Sequence, residues 1–457
     1  MKRFLLIFIT ITVTSCSFDN KTGIWKDAAN IPVENQSKEL IDVNNSTPRY
    51  EDIFIKNKTF SEEKEPSNSF DVKIDSPVQI KNWFEKYTTP SNNISNFFYS
   101  DNKILLSSSP KLSRFSSNEN YSDRNIVFYK NNLISYDHKG TIFIYSLVSK
   151  KKIFEYNFYK KNFKNFEKVI YLIVNKNILY AADNLGYLYA LNLDNNSIIW
   201  AKNYGIPFRS NIKFVNNRIF LANQDNVIYA IEPHTGDTDW QFATSLTFLK
   251  SDFLNNFAVN LISSNILFLN TTGELYSINY LTQKFNWVIN FKNSSLVDGS
   301  DIFISQPIVL KDNNLIITTE NAILSYDLEL SSRNWTLPAK AVFKPIITTN
   351  FTYVILKNNL LICINNINGE VEWSKNIFTN VQNKKTKKKF KMIVDFKIVN
   401  NQINIFSKSG YLLSFNSGDG KLSDQKKISK NGVNSEIFFV NDNMLFINNK
   451  NKLLKFN

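Results

Sequence analysis

The chain has 457 residues, a formal net charge of +14, two cysteines and two histidines. His138 and His234 stand in separate stretches, which excludes a multi-histidine metal site and gives a Ser-His-Asp arrangement little support. No glycine-rich phosphate cradle, CxxCH haem attachment or D-x-[DN]-x-[DN]-G calcium loop occurs, and lysine, asparagine and isoleucine are spread so evenly that the charge reads as general composition, not as a nucleic-acid patch.

At the start, Lys2 and Arg3 precede an apolar run from Phe4 to Val13 that ends in "VTSC". A run of ten residues is too short to span a bilayer as a helix, and a positive start followed by such a run has the shape of a secretory signal. "VTSC" resembles the lipobox of bacterial lipoproteins. The resemblance implies a signal peptide at 1–15, a lipid on Cys16, and, with Ser17 in place of aspartate, an outer-membrane address. Loss of Lys2 and Arg3 leaves a charge of +12, and a lipidated Cys16 leaves Cys363 without a disulfide partner. Residues 16–76 are polar, carry Pro32, Pro48 and Pro66 and the patch "SEEKEPSNS", and show no sustained period; they are expected to be a largely disordered tether.

From residue 77 onward the chain is tiled. "ADNLGYLYALNLDNNSIIW", "NQDNVIYAIEPHTGDTDW" and "NTTGELYSINYLTQKFNW" share one internal spacing, with glycine or asparagine 14 residues before tryptophan. The pairs are Gly186 and Trp200, Asn226 and Trp240, Gly273 and Trp287, Asn321 and Trp335, Asn359 and Trp373, with weaker copies at Gly140 and Phe154 and at Gly410 and Asp424. Successive tryptophans lie 40, 47, 48 and 38 residues apart, a period that suits a four-stranded propeller blade. The short β-branched and aromatic runs between turn residues are strands. Alternate residues such as Leu188 and Ala190 face one side, Tyr189 the other, and the tryptophan is placed to wedge between neighbouring sheets. Cys363 stands where other tiles have Ala190, Ala230, Ser277, Ser325 and Ser414, so it reads as a small core residue.

Eight central hairpins can be counted, the last being "NMLFINNKNKLLKFN" at the chain end. That last tile lacks its outermost strand. A ring closes when an N-terminal strand supplies it, and Trp83, which lacks the usual preceding hairpin, marks the expected closing strand, with 85–125 bridging into the first complete blade. The expectation is an all-β, eight-bladed propeller over 77–457, packed by Trp83, Trp200, Trp240, Trp287, Trp335 and Trp373. The basic run "NKKTKKKFK" at 383–391 falls between tiles and reads as a solvated loop, with contact to acidic lipid headgroups as the alternative.

The tiles resemble those of quinoprotein alcohol dehydrogenases, whose propellers hold pyrroloquinoline quinone and calcium. That family uses adjacent cysteines, a catalytic aspartate and glycine-rich tiles; here there is no adjacent pair and there are 12 glycines, so the likeness covers the scaffold and no cofactor is expected. A lipobox, a tether and eight such tiles resemble the BamB family of lipoproteins in the β-barrel assembly machinery of the bacterial outer membrane. The resemblance implies a non-enzymatic scaffold, a monomer within a complex, that binds the POTRA domains of a BamA-type barrel protein and assists barrel insertion. Family members bind through a leucine-rich stretch ending in arginine and a neighbouring loop with aspartates before "PVV". "GIPFRSN" places Ile206, Phe208 and Arg209 on the first, and "GSDIFISQPIV" places Asp301 on the second, although two tiles separate them. "SLTFLKSD", with Leu246, Phe248 and Leu249, is an alternative to the first, and all three also read as ordinary interblade connections. The competing functions are a periplasmic quinone-dependent oxidoreductase and a lipoprotein that binds another envelope partner.

Overall fold

Hairpin after hairpin, the tiles fold as the alternation of buried residues and tight turns requires. The computed structural model describes residues 17–18, 25–26, 59–67, 72, 74–113, 124–159, 163, 166–245, 256–291, 303–379, 390 and 392–457. The chain divides into two compact units, Met1–Lys56 and Asn57–Asn457. In the first, Ser17–Phe18 and Trp25–Lys26 form a short antiparallel pair. Cys16 and, apart from Phe390, the basic run 383–391 lie outside the described residues.

Among the described residues the second unit is all-β, with eight four-stranded antiparallel sheets arranged as propeller blades. In blade 2 the strands run from the axis outward as Ile170–Asn175, Ile178–Asp183, Tyr187–Asn192 and Ser197–Asn203. Blade 1 occupies 127–157, blade 3 213–243, blade 4 256–290, blade 5 309–337, blade 6 346–376 and blade 7 393–427. The 14-residue offset has a simple cause. In each of blades 2 to 6 the small residue of the third strand sits opposite the tryptophan of the fourth, as Ala190 does with Trp200 and Cys363 with Trp373, and a β-bulge follows at once. The weaker copies keep the register, with Ile144 opposite Phe154 and Ser414 opposite Asp424. Cys363 is fully buried against Trp373, and burial pushes its thiol pKa up, so it is an unreactive core residue.

The tryptophans join blade to blade. Trp200 Nε1 donates to the Pro233 carbonyl (2.9 Å) and Trp335 Nε1 to that of Asn366 (2.9 Å), each in the outer hairpin turn of the next blade. A Cβ added at Gly236 would lie 2.8 Å from the Trp200 ring, and one at Gly369 2.5 Å from Trp335, so those turns hold glycine both for the left-handed backbone and for the close ring. At the inner hairpins Gly186, Asn226, Gly273 and Asn359 all have positive φ. Asn321 does not; its hairpin is closed by the Thr319 hydroxyl, which accepts the Ala322 N–H (2.9 Å).

Ring closure uses an N-terminal strand, but a different one from that marked by Trp83. Blade 8 consists of Phe438–Val440, Asn443–Ile447, Lys452–Phe456 and, outermost, Leu105–Lys111. The Ile104 and Asn457 backbones exchange two hydrogen bonds of 3.0 Å, clasping the chain end. Trp83 lies instead on the propeller axis, 2% exposed, stacked on Phe97 at 5.8 Å and edge-on to Phe438 at 5.1 Å.

Residues 78–100 account for this. They trace one turn inside the channel and meet every blade in order. The Ile80 carbonyl accepts from Asn441 of blade 8, Trp83 exchanges two bonds with Phe128 of blade 1, and the Phe84 carbonyl accepts from Val174 of blade 2. Lys213 of blade 3 reaches the Thr89 carbonyl (3.0 Å), Val259 of blade 4 donates to Pro90, Leu310 of blade 5 to Ser91, and Asn93 donates to Ile347 of blade 6. Phe97 then bonds Ile398 and Asn400 of blade 7, and Ser100 returns to Asp442 of blade 8. Val78 bonds Asn96 and Phe98, closing the turn on itself. Part of the polar stretch read as a tether is also docked. Lys64 exchanges backbone bonds with Ser374 (3.1 and 3.0 Å) on the outer strand of blade 6, and Phe60 N–H donates to the Pro338 carbonyl.

Candidate partner face and axial cavity

Two features share the face of the ring that carries the connections from each outer strand to the next inner strand. The first is the 204–212 connection between blades 2 and 3, which holds "GIPFRSN". Phe208 is fully buried, packed edge-on to Tyr204 (5.4 Å) and Tyr229 (6.1 Å), and its N–H donates to the Asp183 carbonyl (3.1 Å). It therefore fixes the connection, leaving half-buried Ile206 and Arg209 as the neighbouring residues with surface to offer. The Arg209 N–H donates to the Ala222 carbonyl (3.0 Å), which ties the base of that side chain to blade 3.

Asp301 lies outside the described residues, as do Leu246, Phe248 and Leu249. The connection that contains Asp301 runs from blade 4 to blade 5, two blade steps round the ring from that of Arg209. The two are not adjacent loops.

The second feature is a cavity of ≈ 210 Å³ on the axis. Its floor is the axial turn and its walls are the starts of the inner strands of blades 5 to 8 and the connections leading into them. Trp83, Phe97, Phe343 and Phe396 supply aromatic surface, and five charged side chains line it. Lys86 pairs with Glu436 (2.8 Å), and Lys397 pairs with Asp395 (2.7 Å), whose other oxygen accepts the Ile437 N–H (2.9 Å). Lys344 donates to the Asn92 carbonyl (2.7 Å) and has no carboxylate within ion-pair distance among the described residues. Burial and the nearby Lys397 charge bring its pKa down to about 7.

Beneath the cavity Lys213, 1% exposed, meets Glu85 (2.6 Å) and Asn92 Oδ1 (2.6 Å), and the Asn92 amide donates to Phe257 and Ile308 carbonyls (both 2.8 Å). Burial pushes Glu85 up and Lys213 down, and their mutual attraction offsets part of each shift. None of this cluster was singled out from sequence. A signal existed, since Lys344 and Lys397 each interrupt an apolar run, in "AVFKPII" and "IVDFKIV".

No group of three or more His, Cys, Asp or Glu among the described residues is arranged to hold a metal ion. The chain also has no adjacent cysteines, so the described residues do not match the quinone and calcium site of quinoprotein dehydrogenases.

Residues 167–375, which span blades 2 to 6, match the family model described as outer membrane protein assembly factor BamB. The protein of that description from Moranella endobia (strain PCIT) is 21% identical over 231 residues, 44% of this chain. The match covers 56% of that relative, so the chain spans little more than half its length. Among solved structures, BamB from Moraxella catarrhalis superposes with a TM-score of 0.60 at 13% identity, covering 77% of this chain and 98% of that one. Quinohemoprotein alcohol dehydrogenase from Comamonas testosteroni gives a TM-score of 0.57 at 8% identity, covering 82% and 80%. Both show a shared propeller fold, and in repeats and architecture the chain is BamB-like.

Proposed function

We propose that the protein is a non-enzymatic scaffold lipoprotein of the outer-membrane β-barrel assembly machinery. It is held to the periplasmic face of the outer membrane through lipid on Cys16 and binds the POTRA region of a BamA-type barrel protein, assisting barrel insertion. The observation that carries this reading is the BamB-like tiling of blades 2 to 6 on a ring whose inner strands are lined by its own N-terminal segment. With its own chain docked along the axis, the ring offers the rim loops as the surface for a macromolecular partner. Ile206 and Arg209 offer an apolar contact beside a cation, which suits an anchor with an orienting charge, and Asp301, outside the described residues, is the opposite charge this reading assigns to the partner site.

The test is a mild-detergent pull-down of the tagged protein from its own membranes, followed by mass spectrometry. Recovery of a POTRA-bearing barrel protein is expected, and Arg209→Glu should reduce it about tenfold, as loss of an interface charge pair does. Reproducible absence of any such barrel, with the lipoprotein intact, would overturn the reading in favour of another envelope partner. The fold shared with quinohemoprotein dehydrogenases motivates a second assay, reconstitution with quinone and calcium, in which neither bound cofactor nor dye reduction is expected.

A further inference from the structure

We propose that the axial cavity is a binding site for a small monocarboxylate with an apolar body, and that Lys344 is its counter-charge. The inference is independent of the partner reading above, because it concerns the hub and not the rim.

Geometry carries the argument. A lysine ammonium has three donors, and Lys344 uses one, toward a neutral backbone carbonyl. The two other wall lysines already have carboxylates, Lys86 with Glu436 and Lys397 with Asp395, so the wall holds one surplus cation. Lys344 is half-buried where it lines the cavity, so its ammonium is partly desolvated without a carboxylate beside it among the described residues, and an anion there offsets that cost. One positive charge flanked by two carboxylates suits a monoanion and disfavours a phosphate, whose second charge would face Asp395 and Glu436. Beside the charged groups, Trp83, Phe97, Val342, Phe343 and Phe396 give the lining an apolar portion that matches an apolar body. At ≈ 210 Å³ the space lies below the roughly 300–1,000 Å³ of pockets for drug-sized ligands, so the body is about one ring or a short chain.

Binding is coupled to a proton. The charged groups around Lys344 are Lys397 and Asp395 from blade 7, Glu436 from the connection into blade 8, Lys213 from blade 3, and Lys86 from the axial turn, which lines the same cavity and pairs with Glu436. With the empty-site amine near 7, a carboxylate that selects the ammonium form binds fully below that value and loses affinity as pH rises through it. The ligand is either a free acid or the carboxyl end of a polypeptide reaching the hub.

The full chain in mild detergent would be titrated with phenylacetate by calorimetry in two buffers of different ionisation enthalpy. Saturable binding with proton uptake at neutral pH is expected, falling about tenfold between about pH 6 and 8, with phenylacetamide at least about tenfold weaker. Lys344→Met should abolish binding, whereas Lys344→Arg should bind with the pH slope gone. A tripeptide with an apolar last residue, its carboxyl free or amidated, separates the sources: tighter binding of the free form than of phenylacetate assigns the site to a chain end, and the reverse order to a free acid. No binding at about 10 mM, or binding that survives Lys344→Met or ignores pH, overturns the proposal; if Lys344→Met does not fold, the pH slope of Lys344→Arg decides.

Discussion

In blades 2 to 6 each strand pairs with the next one along the chain, through a turn of a few residues, whereas residues 78–100 pair with strands from Phe128 to Asp442. The tiles are therefore stabilised locally and repeat by repeat. The axial turn gains nothing until the ring stands around it, and ordering its backbone costs about 1–2 kcal/mol per residue that only distant contacts can offset. Its contacts are of a different kind as well. Tiles present alternating apolar faces, while the axial turn offers backbone carbonyls, asparagine amides and a buried ion pair. Local repetition builds the ring, and a non-repeating segment finishes it.

The comparison is tested most severely at the buried pair. Lys213→Met leaves Glu85 buried without its cation and should cost about 3–5 kcal/mol in denaturant unfolding, while the double variant with Glu85→Leu should recover most of it. Full stability in the single variant would show that the axial turn is not coupled to the ring. Trp83→Ala and Trp373→Ala remove side chains that are 2% and 0% exposed, one from the axis and one from a tile, and each should cost about 3–5 kcal/mol. If only Trp373→Ala lowers the melting temperature, the axial turn docks as a dispensable peptide. Asn92→Ala strips hydrogen bonds from two buried carbonyls and from Lys213, for about 1–3 kcal/mol by the same measurement.

The smallest effect belongs to a tile turn. Burial alone would raise the pKa of Glu274, but hydrogen bonds from Tyr276, Ser245, Asn270 and Thr272 outweigh it and hold the carboxyl below its ordinary value. A lowered folded-state pKa means stabilisation present above the unfolded value and lost as pH falls through the folded one. Glu274→Gln should flatten the acid limb of the stability profile and leave the slope near neutrality unchanged.

The ring was legible in the sequence because its determinants are local: a left-handed turn residue, a small residue and a tryptophan, locked at one offset by the bulge. The expectation that an N-terminal strand completes the last blade held, since Leu105–Lys111 is the outermost strand of that sheet. The strand itself was misplaced for a physical reason. Leu105–Lys111 has an exposed outer position, three serines and Pro110, and pairs irregularly, so it carries no tile pattern, whereas Trp83 carries the tile's most visible residue into a different role. On the rim, Phe208 and Ile206 look alike in sequence, and only the packing of Tyr204 and Tyr229 tells which faces inward. The Lys344 cavity is a product of closure, assembled from four blades and the axial turn, and no window of sequence contains it.

The single circuit of residues 78–100 has a consequence for blade number. A segment that touches blades 8, 1, 2, 3, 4, 5, 6, 7 and 8 again, once each and in order, acts as a gauge of circumference. Tandem repeats are prone to gain or lose a copy, and a seven- or nine-bladed ring would still satisfy every contact between neighbouring blades. It would not fit this gauge: one docking residue would face a gap or one inner strand would go without a partner. The hub thus sets the size of a ring whose rim has no means of counting.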